Sequence, residues 1–304
     1  MEKSKFQVPN KLQRMAAIGK IPADKILRGA LTNVDVFYQP VPNPGPSDWL
    51  ACHKENGQTY DQYVAYKKMK ISMSPKNTLY FLPFQNLEKG LLLKCHQFCE
   101  AFFYGAKVKF MEPADIRATS VEHRINQYSG KIQYNALQIM HAAKAFFQKD
   151  AFATLSIMMD DLYPFDKWNF CYGWSEYKGG SGVFSLARYD PRFADGSYVG
   201  DPSAIILNRA CKIMTHEMTH MFGIFHCIFF KCAMNGINTD EEASRSPLDL
   251  CPVCLRKLQS NIGFNILERY IQMEKVLSTF PSTFDDDKEW IHGRIEYLKS
   301  YKSH

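Results

Sequence analysis

Residues 216–227 read HEMTHMFGIFHC, and their spacing is typical of a metal-binding helix that ends in a turn. His216 and His220 are four residues apart, which puts both imidazoles on one helix face, where a single ion can bind both. Gly223 can end this helix because glycine adopts a positive φ without steric cost. The chain can then turn back and bring His226 to the same ion. Three neutral histidines leave one coordination position for water, as in catalytic rather than structural zinc sites.

Glu217 comes directly after His216 and is therefore rotated about a third of a turn away from it around the helix. This offset makes Glu217 a poor third ligand, but its carboxylate can reach a water held on the metal. A carboxylate in that position is predicted to act as a general base. Any one histidine on a half-apolar helix is more often a hydrogen-bonded core residue, so the prediction depends on the whole set of spacings.

The cysteines predict a second metal site. The chain has nine cysteines, an odd number with no secretion signal before them, so a disulfide framework is not expected. Two closely spaced pairs joined by a longer loop predict a closed structural zinc site, although four unligated buried thiols are the alternative. The four residues are Cys227, Cys232, Cys251 and Cys254. Because adjacent side chains of an extended segment point to opposite sides, His226 and Cys227 can face different ions.

Composition and charge limit the classes of protein. Hydrophobic residues make up 46% of the 304 residues and charged residues 22%, which excludes disordered, collagen-like and coiled-coil chains. The formal net charge of +6 is spread without a dense basic block, so nucleic acid is not an expected partner. The most apolar stretch is too short for a membrane span, and the N-terminus lacks the apolar core of a signal peptide. We expect an intracellular monomer, in the cytoplasm or the nucleus, with no membrane contact.

Strand and helix patterns alternate from residue 78 onward. The continuous apolar run AFATLSIMM (151–159) predicts a buried central strand. A long helix is expected from Ser203 to Phe222. The pattern predicts an α+β fold in which helices cover a mixed, mostly parallel twisted sheet.

The histidine stretch, together with IFFKCAM (228–234) and CPVC (251–254), resembles the archaemetzincin family of zinc metallopeptidases, a branch of the metzincins. The resemblance covers residues 216–254, and the strand order fits the family across roughly residues 78–275. It implies a zincin-like fold of the metzincin type, with an active-site helix followed by a small zinc-bound C-terminal subdomain. It also implies two Zn²⁺ cofactors, one catalytic and one structural.

The resemblance assigns a role to each candidate site residue. Glu217 would be the general base and acid. Met234 would correspond to the Met-turn, an apolar floor beneath the histidines, although core filling is the ordinary role of such a residue. The catalytic zinc would be held by His216, His220 and His226. The structural zinc would be held by Cys227, Cys232, Cys251 and Cys254.

The domain organisation follows from a break in regular structure. The segment VPNPGPSDW (41–49) is rich in proline and glycine, which interrupt helices and strands. Residues 1–75 are therefore expected to form an N-terminal extension packed on the core. Residues 76–304 would form the metzincin-like catalytic domain. Its upper subdomain would span 76–223, and its lower subdomain, with the four-cysteine site, 224–304.

The function that these residues predict is zinc-dependent hydrolysis of peptide bonds in a peptide or protein substrate. The family implies aminopeptidase-like activity, for which Asp240, Glu241 and Glu242 could bind the free amine, although a solvated acidic loop is the simpler interpretation. By analogy with metzincins, NFCYGWS (169–175) is the expected edge strand for the substrate backbone. The alternative function is a zinc-stabilised module that binds protein or nucleic acid with little or no catalysis.

Overall fold

A computed structural model describes residues 6–66, 70–71, 74–84, 87–116, 119–176, 180–193 and 196–303. The chain forms two compact units. The terminal unit joins Met1–Met69 to Gly223–His304, and the central unit consists of Lys70–Phe222. The division into an extension over 1–75 and a catalytic domain over 76–304 stays a prediction.

Strands belong to the central unit, whereas helices occur in both units. The strands are β1 (Thr78–Pro83), β2 (Lys107–Phe110), β3 (His123–Ile125), β4 (Ile132–Asn135), β5 (Ala151–Met158), β6 (Asp161–Tyr163), β7 (Gly173–Ser175) and β8 (Ser181–Ser185). The helices are α1 (Lys11–Ile18), α2 (Lys25–Leu31), α3 (Val34–Phe37), α4 (Trp49–Cys52), α5 (Tyr60–Ala65), α6 (Lys89–Phe102), α7 (Ala136–Ala143), α8 (Ser203–Met221), α9 (Asp240–Arg245), α10 (Pro252–Ile262), α11 (Ile266–Leu277) and α12 (Asp285–Ser303). Among the described residues, none of these helices has the length and apolarity that a membrane crossing requires.

The main sheet of the central unit has five strands in the order β2-β1-β5-β8-β7. The strands β2, β1, β5 and β8 run parallel, and β7 pairs antiparallel with β8 at one edge. The mixed, mostly parallel sheet is thus confirmed. The apolar run at 151–159 forms β5 in the middle of this sheet, where neighbouring strands and helices exclude water from both of its faces.

A second, three-stranded sheet in the order β3-β4-β6 was not predicted from the sequence. Its strands have three or four residues, too few for a period of two to stand out. The turn between β3 and β4 is closed by a side chain: Asn126 Oδ1 accepts hydrogen bonds from the backbone N–H groups of Tyr128 and Ser129, both at 2.9 Å. The Asn126 side chain therefore stabilises the turn that joins these two short strands.

The active-site helix predicted over 203–222 is α8. Its N-cap position is Pro202, and the Ser203 N–H at its start donates to Oδ1 of Asp201 at 2.9 Å. It ends at Met221, and Gly223 follows with a φ of 80°. Helix α8 packs against β7 and β8 of the main sheet, so its register fixes which side chains face those strands.

The terminal unit is helical and combines both ends of the chain. Helix α12 packs against α11 and α2. Hydrogen bonds also join α12 to α2 and α3: Arg294 Nη2 donates to the Ala30 carbonyl at 3.0 Å, and Trp290 Nε1 donates to the Phe37 carbonyl at 2.9 Å. Helices α10 and α11 follow each other closely, and α10 ends at Ile262, before Gly263.

An ion pair inside the central unit stabilises β6. The Arg188 guanidinium binds the Asp161 carboxylate through two hydrogen bonds of 2.8 Å, and Gln133 Nε2 donates a third at 2.8 Å. The Asp161 side chain is only 1% exposed. Because a carboxylate this deeply buried needs a partner, the Arg188 guanidinium compensates the charge of Asp161 in β6.

We predict that Arg188→Ala lowers the free energy of unfolding by about 3 kcal/mol, because it leaves the Asp161 carboxylate buried without its cation. The matched control is Arg192→Ala. The Arg192 guanidinium also pairs with a carboxylate, that of Asp190, but is 53% exposed. We expect that control to cost about 0.5 kcal/mol. Urea denaturation of both variants tests the difference, and equal losses would contradict it.

Candidate metal centres

The three histidines of residues 216–226 offer nitrogen atoms that all lie within 4.8 Å of one another. On α8, Nε2 of His216 and Nε2 of His220 are 3.0 Å apart, and their rings are nearly perpendicular. Two nitrogens bound to one zinc ion at about 2.0–2.1 Å would be about 3.3 Å apart in tetrahedral geometry. The chemistry and the spacing of these donors therefore fit a shared zinc ion.

Glu217 is buried beside the edge strand of the main sheet. Its Oε2 accepts a hydrogen bond from Ser175 Oγ at 2.8 Å. A Cβ at Gly173 would lie 3.0 Å from Oε1 of Glu217, so glycine permits this close approach of β7. NFCYGWS was predicted as the edge strand, and its last three residues form β7 at the edge of the described sheet. The contacts of Ser175 and Gly173 with Glu217 were not predicted, because neither residue belongs to a spacing motif.

His226 contacts residues from the N-terminal part of the terminal unit. Its Nδ1 lies 2.7 Å from Oε1 of Glu55, and Trp49 Nε1 donates to the same oxygen at 2.8 Å. Burial raises the pKa of the Glu55 carboxyl, but the hydrogen bonds from His226 and Trp49 outweigh burial and hold the pKa below its usual range. Glu55 is thus a carboxylate at neutral pH. Glu55 was not predicted as a site residue, since no local sequence pattern connects it to the histidines.

The four predicted cysteines also lie together, with all sulfur atoms within 4.8 Å of one another. Each residue is at most 2% exposed. The sulfur atoms of Cys227 and Cys251 are 3.6 Å apart, close to the separation of about 3.8 Å in a tetrahedral site with zinc–sulfur bonds of about 2.3 Å. The donor set and its geometry therefore fit a closed zinc site.

The electrostatics of this cluster favour a bound cation. Hydrogen bonds from the other three thiols lower the pKa of Cys227, whereas burial raises the pKa values of Cys232 and Cys251. Full ionisation of all four thiols therefore requires a compensating positive charge. Backbone N–H groups already point at one sulfur: those of Met234 and Cys251 lie 3.4 and 3.2 Å from Cys232 Sγ.

Asn235 holds the loop that carries the first two cysteines. Its Oδ1 accepts from the Cys232 N–H at 2.7 Å, and its Nδ2 donates to the carbonyls of Cys227 and Phe230 at 2.7 and 3.0 Å. The preceding residue, Met234, is fully buried, and its carbonyl accepts from the Cys227 N–H at 2.7 Å. The role of Met234 as a Met-turn beneath the histidines stays a prediction.

The acidic residues suggested for the substrate amine have different environments. The Glu242 carboxylate accepts from the backbone N–H groups of Trp49 and Asn238, so it is part of the local structure. Asp240 and Glu241 are exposed in the first turn of α9, as expected for a solvated acidic segment.

The chain is similar over most of its length to a family of peptidases. A family model described as peptidase family M54 matches residues 99–260. The chain is 36% identical to archaemetzincin-2 of Rattus norvegicus over 267 residues, which cover 79% of this chain and 74% of that protein. It is 33% identical to archaemetzincin-2 of Homo sapiens over 274 residues, which cover 81% and 76% of the two chains.

The fold is shared with a solved structure. A zinc-dependent peptidase from Methanocorpusculum labreanum superposes with a TM-score of 0.50 at 19% identity, over 59% of this chain and 99% of that one. The family match and the two metal-ligand clusters define the class of protein as a zinc metallopeptidase, a hydrolase. The chain belongs to the archaemetzincin family, peptidase family M54.

We predict that Asn235→Ala lowers the free energy of unfolding by about 2–3 kcal/mol, because one backbone N–H and two carbonyls lose a partner. In the folded Asn235→Ala protein, the buried thiols should also react faster with a chromogenic disulfide reagent than they do in the wild type. The control is Asn238→Ala, three residues away, which loses a surface hydrogen bond to the Ser47 carbonyl. The interpretation fails if both variants expose their thiols at the same rate.

Proposed function

We propose that His216, His220 and His226 hold the catalytic zinc and that Glu217 is the general base for hydrolysis of peptide bonds. The observation that carries the proposal is the distance of at most 4.8 Å among the three imidazole nitrogens. They are neutral donors that leave a further coordination position, as catalytic zinc sites require. The chemistry that zinc supplies in such a site is to lower the pKa of a water molecule and to polarise the scissile carbonyl.

Glu217 moves the proton in this scheme. Its carboxylate accepts a proton from the attacking water as the carbon–oxygen bond forms, and donates that proton to the leaving amine as the carbon–nitrogen bond breaks. Ser175 donates a hydrogen bond to Oε2 and so orients the carboxyl group. The lack of a side chain at Gly173 keeps space beside Oε1, to which we assign the proton transfer.

The substrate backbone is proposed to pair with β7. This strand lies at the edge of the main sheet, and edge strands offer backbone groups that an extended peptide can bind. The contact of Ser175 with Glu217 connects this strand to the proposed base. Aminopeptidase action additionally requires a group that binds the free amine, and the exposed carboxylates of Asp240 and Glu241 are the candidates.

A second, structural zinc is proposed at the four cysteines. Four thiolates would occupy every position of a tetrahedral zinc and leave none for water, so this site would contribute to folding and not to catalysis. The support is the complete burial of the four sulfur atoms and their mutual distances.

Elemental analysis should give two zinc ions per chain in the wild type. His220→Ala should lose one ion and remain folded, because the cysteine site is intact. Cys251→Ser should lose the other ion and unfold at lower denaturant concentration, because three thiolates hold a structural ion poorly. One zinc per chain that persists in His220→Ala would mean that only the cysteine site binds metal, and would favour a binding module without catalysis.

Glu217→Gln should retain both zinc ions and reduce turnover by about 10²–10⁴-fold, because the amide cannot take the proton. Cleavage of a peptide library by mass spectrometry, with free and with acetylated N-termini, measures this loss and separates aminopeptidase from endopeptidase action. The control is Glu289→Gln, an exposed carboxylate on α12. Turnover that survives in Glu217→Gln would exclude Glu217 as the base.

A further inference from the structure

One carboxylate outside the spacing motif contacts a proposed zinc ligand. Glu55, in the loop between α4 and α5, places Oε1 at 2.7 Å from Nδ1 of His226. Both side chains are largely withdrawn from solvent, with 22% and 14% exposure. The two residues are 171 positions apart in sequence, so the contact depends entirely on the fold of the terminal unit.

The chemistry of the pair fixes the state of the imidazole. A carboxylate oxygen only accepts hydrogen bonds, so Nδ1 of His226 carries the proton and donates a hydrogen bond to Glu55. The lone pair of a neutral imidazole then lies on Nε2. Metal-bound histidines are commonly oriented by such a carboxylate on the other ring nitrogen, which also makes the ligand more basic.

Aromatic side chains hold Glu55 and the imidazole in place. Trp49 Nε1 donates to the same Oε1 of Glu55 at 2.8 Å, so this oxygen is bound from two directions. The Trp49 ring meets the His226 ring edge-on, with centroids 4.9 Å apart, and His53 stacks on the indole at 3.7 Å. These contacts restrict rotation of the histidine about its χ angles.

The backbone that leads to His226 is held by the same N-terminal segment. Gln58 Nε2 donates to the Gly223 carbonyl at 3.1 Å, and its Oε1 accepts from the Phe225 N–H at 3.3 Å. The Lys257 ammonium donates to the carbonyl and to the side-chain oxygen of Gln58. Residues 49–58 therefore bind both the side chain and the main chain of the segment that carries the third histidine.

We propose that Glu55 is a positioning residue for His226, which holds Nδ1 protonated and directs Nε2 toward the catalytic zinc. The inference rests on the proposed function, in which His226 is a zinc ligand. Glu55 touches neither substrate nor zinc in this assignment and acts only through the imidazole. Through Glu55, residues 49–58 contribute to the proposed metal site.

The test is the zinc affinity of the three-histidine site in the 304-residue chain, measured by competition with a chromogenic chelator. Glu55→Ala removes the acceptor and should raise the dissociation constant for zinc by about 10–100-fold. Glu55→Gln keeps the shape and an acceptor oxygen but loses the charge, so its affinity should lie between those of Glu55→Ala and the wild type. The cysteine site should hold its zinc equally in all variants.

The matched control is Glu274→Gln, which alters a second carboxylate beside a histidine, 2.7 Å from Nδ1 of His292 on α12. It should leave the zinc affinity unchanged, because neither Glu274 nor His292 belongs to the proposed site. A second readout is the visible absorption band of Co²⁺ at the three histidines, which reports ligand geometry. This band should change in both Glu55 variants and not in Glu274→Gln.

The outcomes distinguish this inference from the proposed function. If His226→Ala weakens zinc binding whereas both Glu55 variants bind zinc as tightly as the wild type, Glu55 has only a structural role and the inference is overturned. If His226→Ala itself leaves the affinity unchanged, His226 is not a ligand and the proposed site fails first. Should Glu55→Ala not fold, the Glu55→Gln result decides alone, because that variant preserves the side-chain volume.

Discussion

The reversal of the chain after α8 is the constraint on which both candidate metal centres depend. Helical register alone brings His216 and His220 together, with their Nε2 atoms 3.0 Å apart. His226 joins them because Gly223 adopts a φ of 80°, a conformation that costs other residues about 1 kcal/mol or more. A helix that continued past this point would carry His226 away along its axis by 1.5 Å per residue.

After the same reversal, one predicted ligand of each centre lies next to the other in the sequence. Cys227 directly follows His226, and its N–H donates to the Met234 carbonyl at 2.7 Å. Asn235 holds the carbonyl of Cys227 from the other side of the loop. A closed four-cysteine site is rigid because every ligand is bound, so it can anchor the chain next to the third histidine. In the proposed function, the cysteine site would therefore restrict the position of His226.

The N-terminal residues are part of this arrangement. Residues 1–75 are predicted to form an extension, and the part of it that the structure describes within the terminal unit contains α1–α5. This part is hydrogen-bonded to the C-terminal helices, for example through Arg294 and the Ala30 carbonyl. The loop that carries Glu55 and Gln58 binds the segment that follows α8. Since irregular segments satisfy few hydrogen bonds internally, their polar groups are available to orient residues elsewhere, and here they orient a proposed metal ligand.

The sequence by itself determined the features that depend on short spacings and on hydrophobic period. These are the two ligand clusters within residues 216–254, the end of α8 near Gly223, and a mostly parallel sheet with β5 at its centre. Only the tertiary structure decided the second sheet, the partner of Glu217 and the partner of His226. Strands of three or four residues are too short for their alternation of polar and apolar residues to be recognised. The contacts of Ser175 and Glu55 join residues that are 42 and 171 positions apart, and no local pattern records which distant side chain the fold brings within hydrogen-bonding distance.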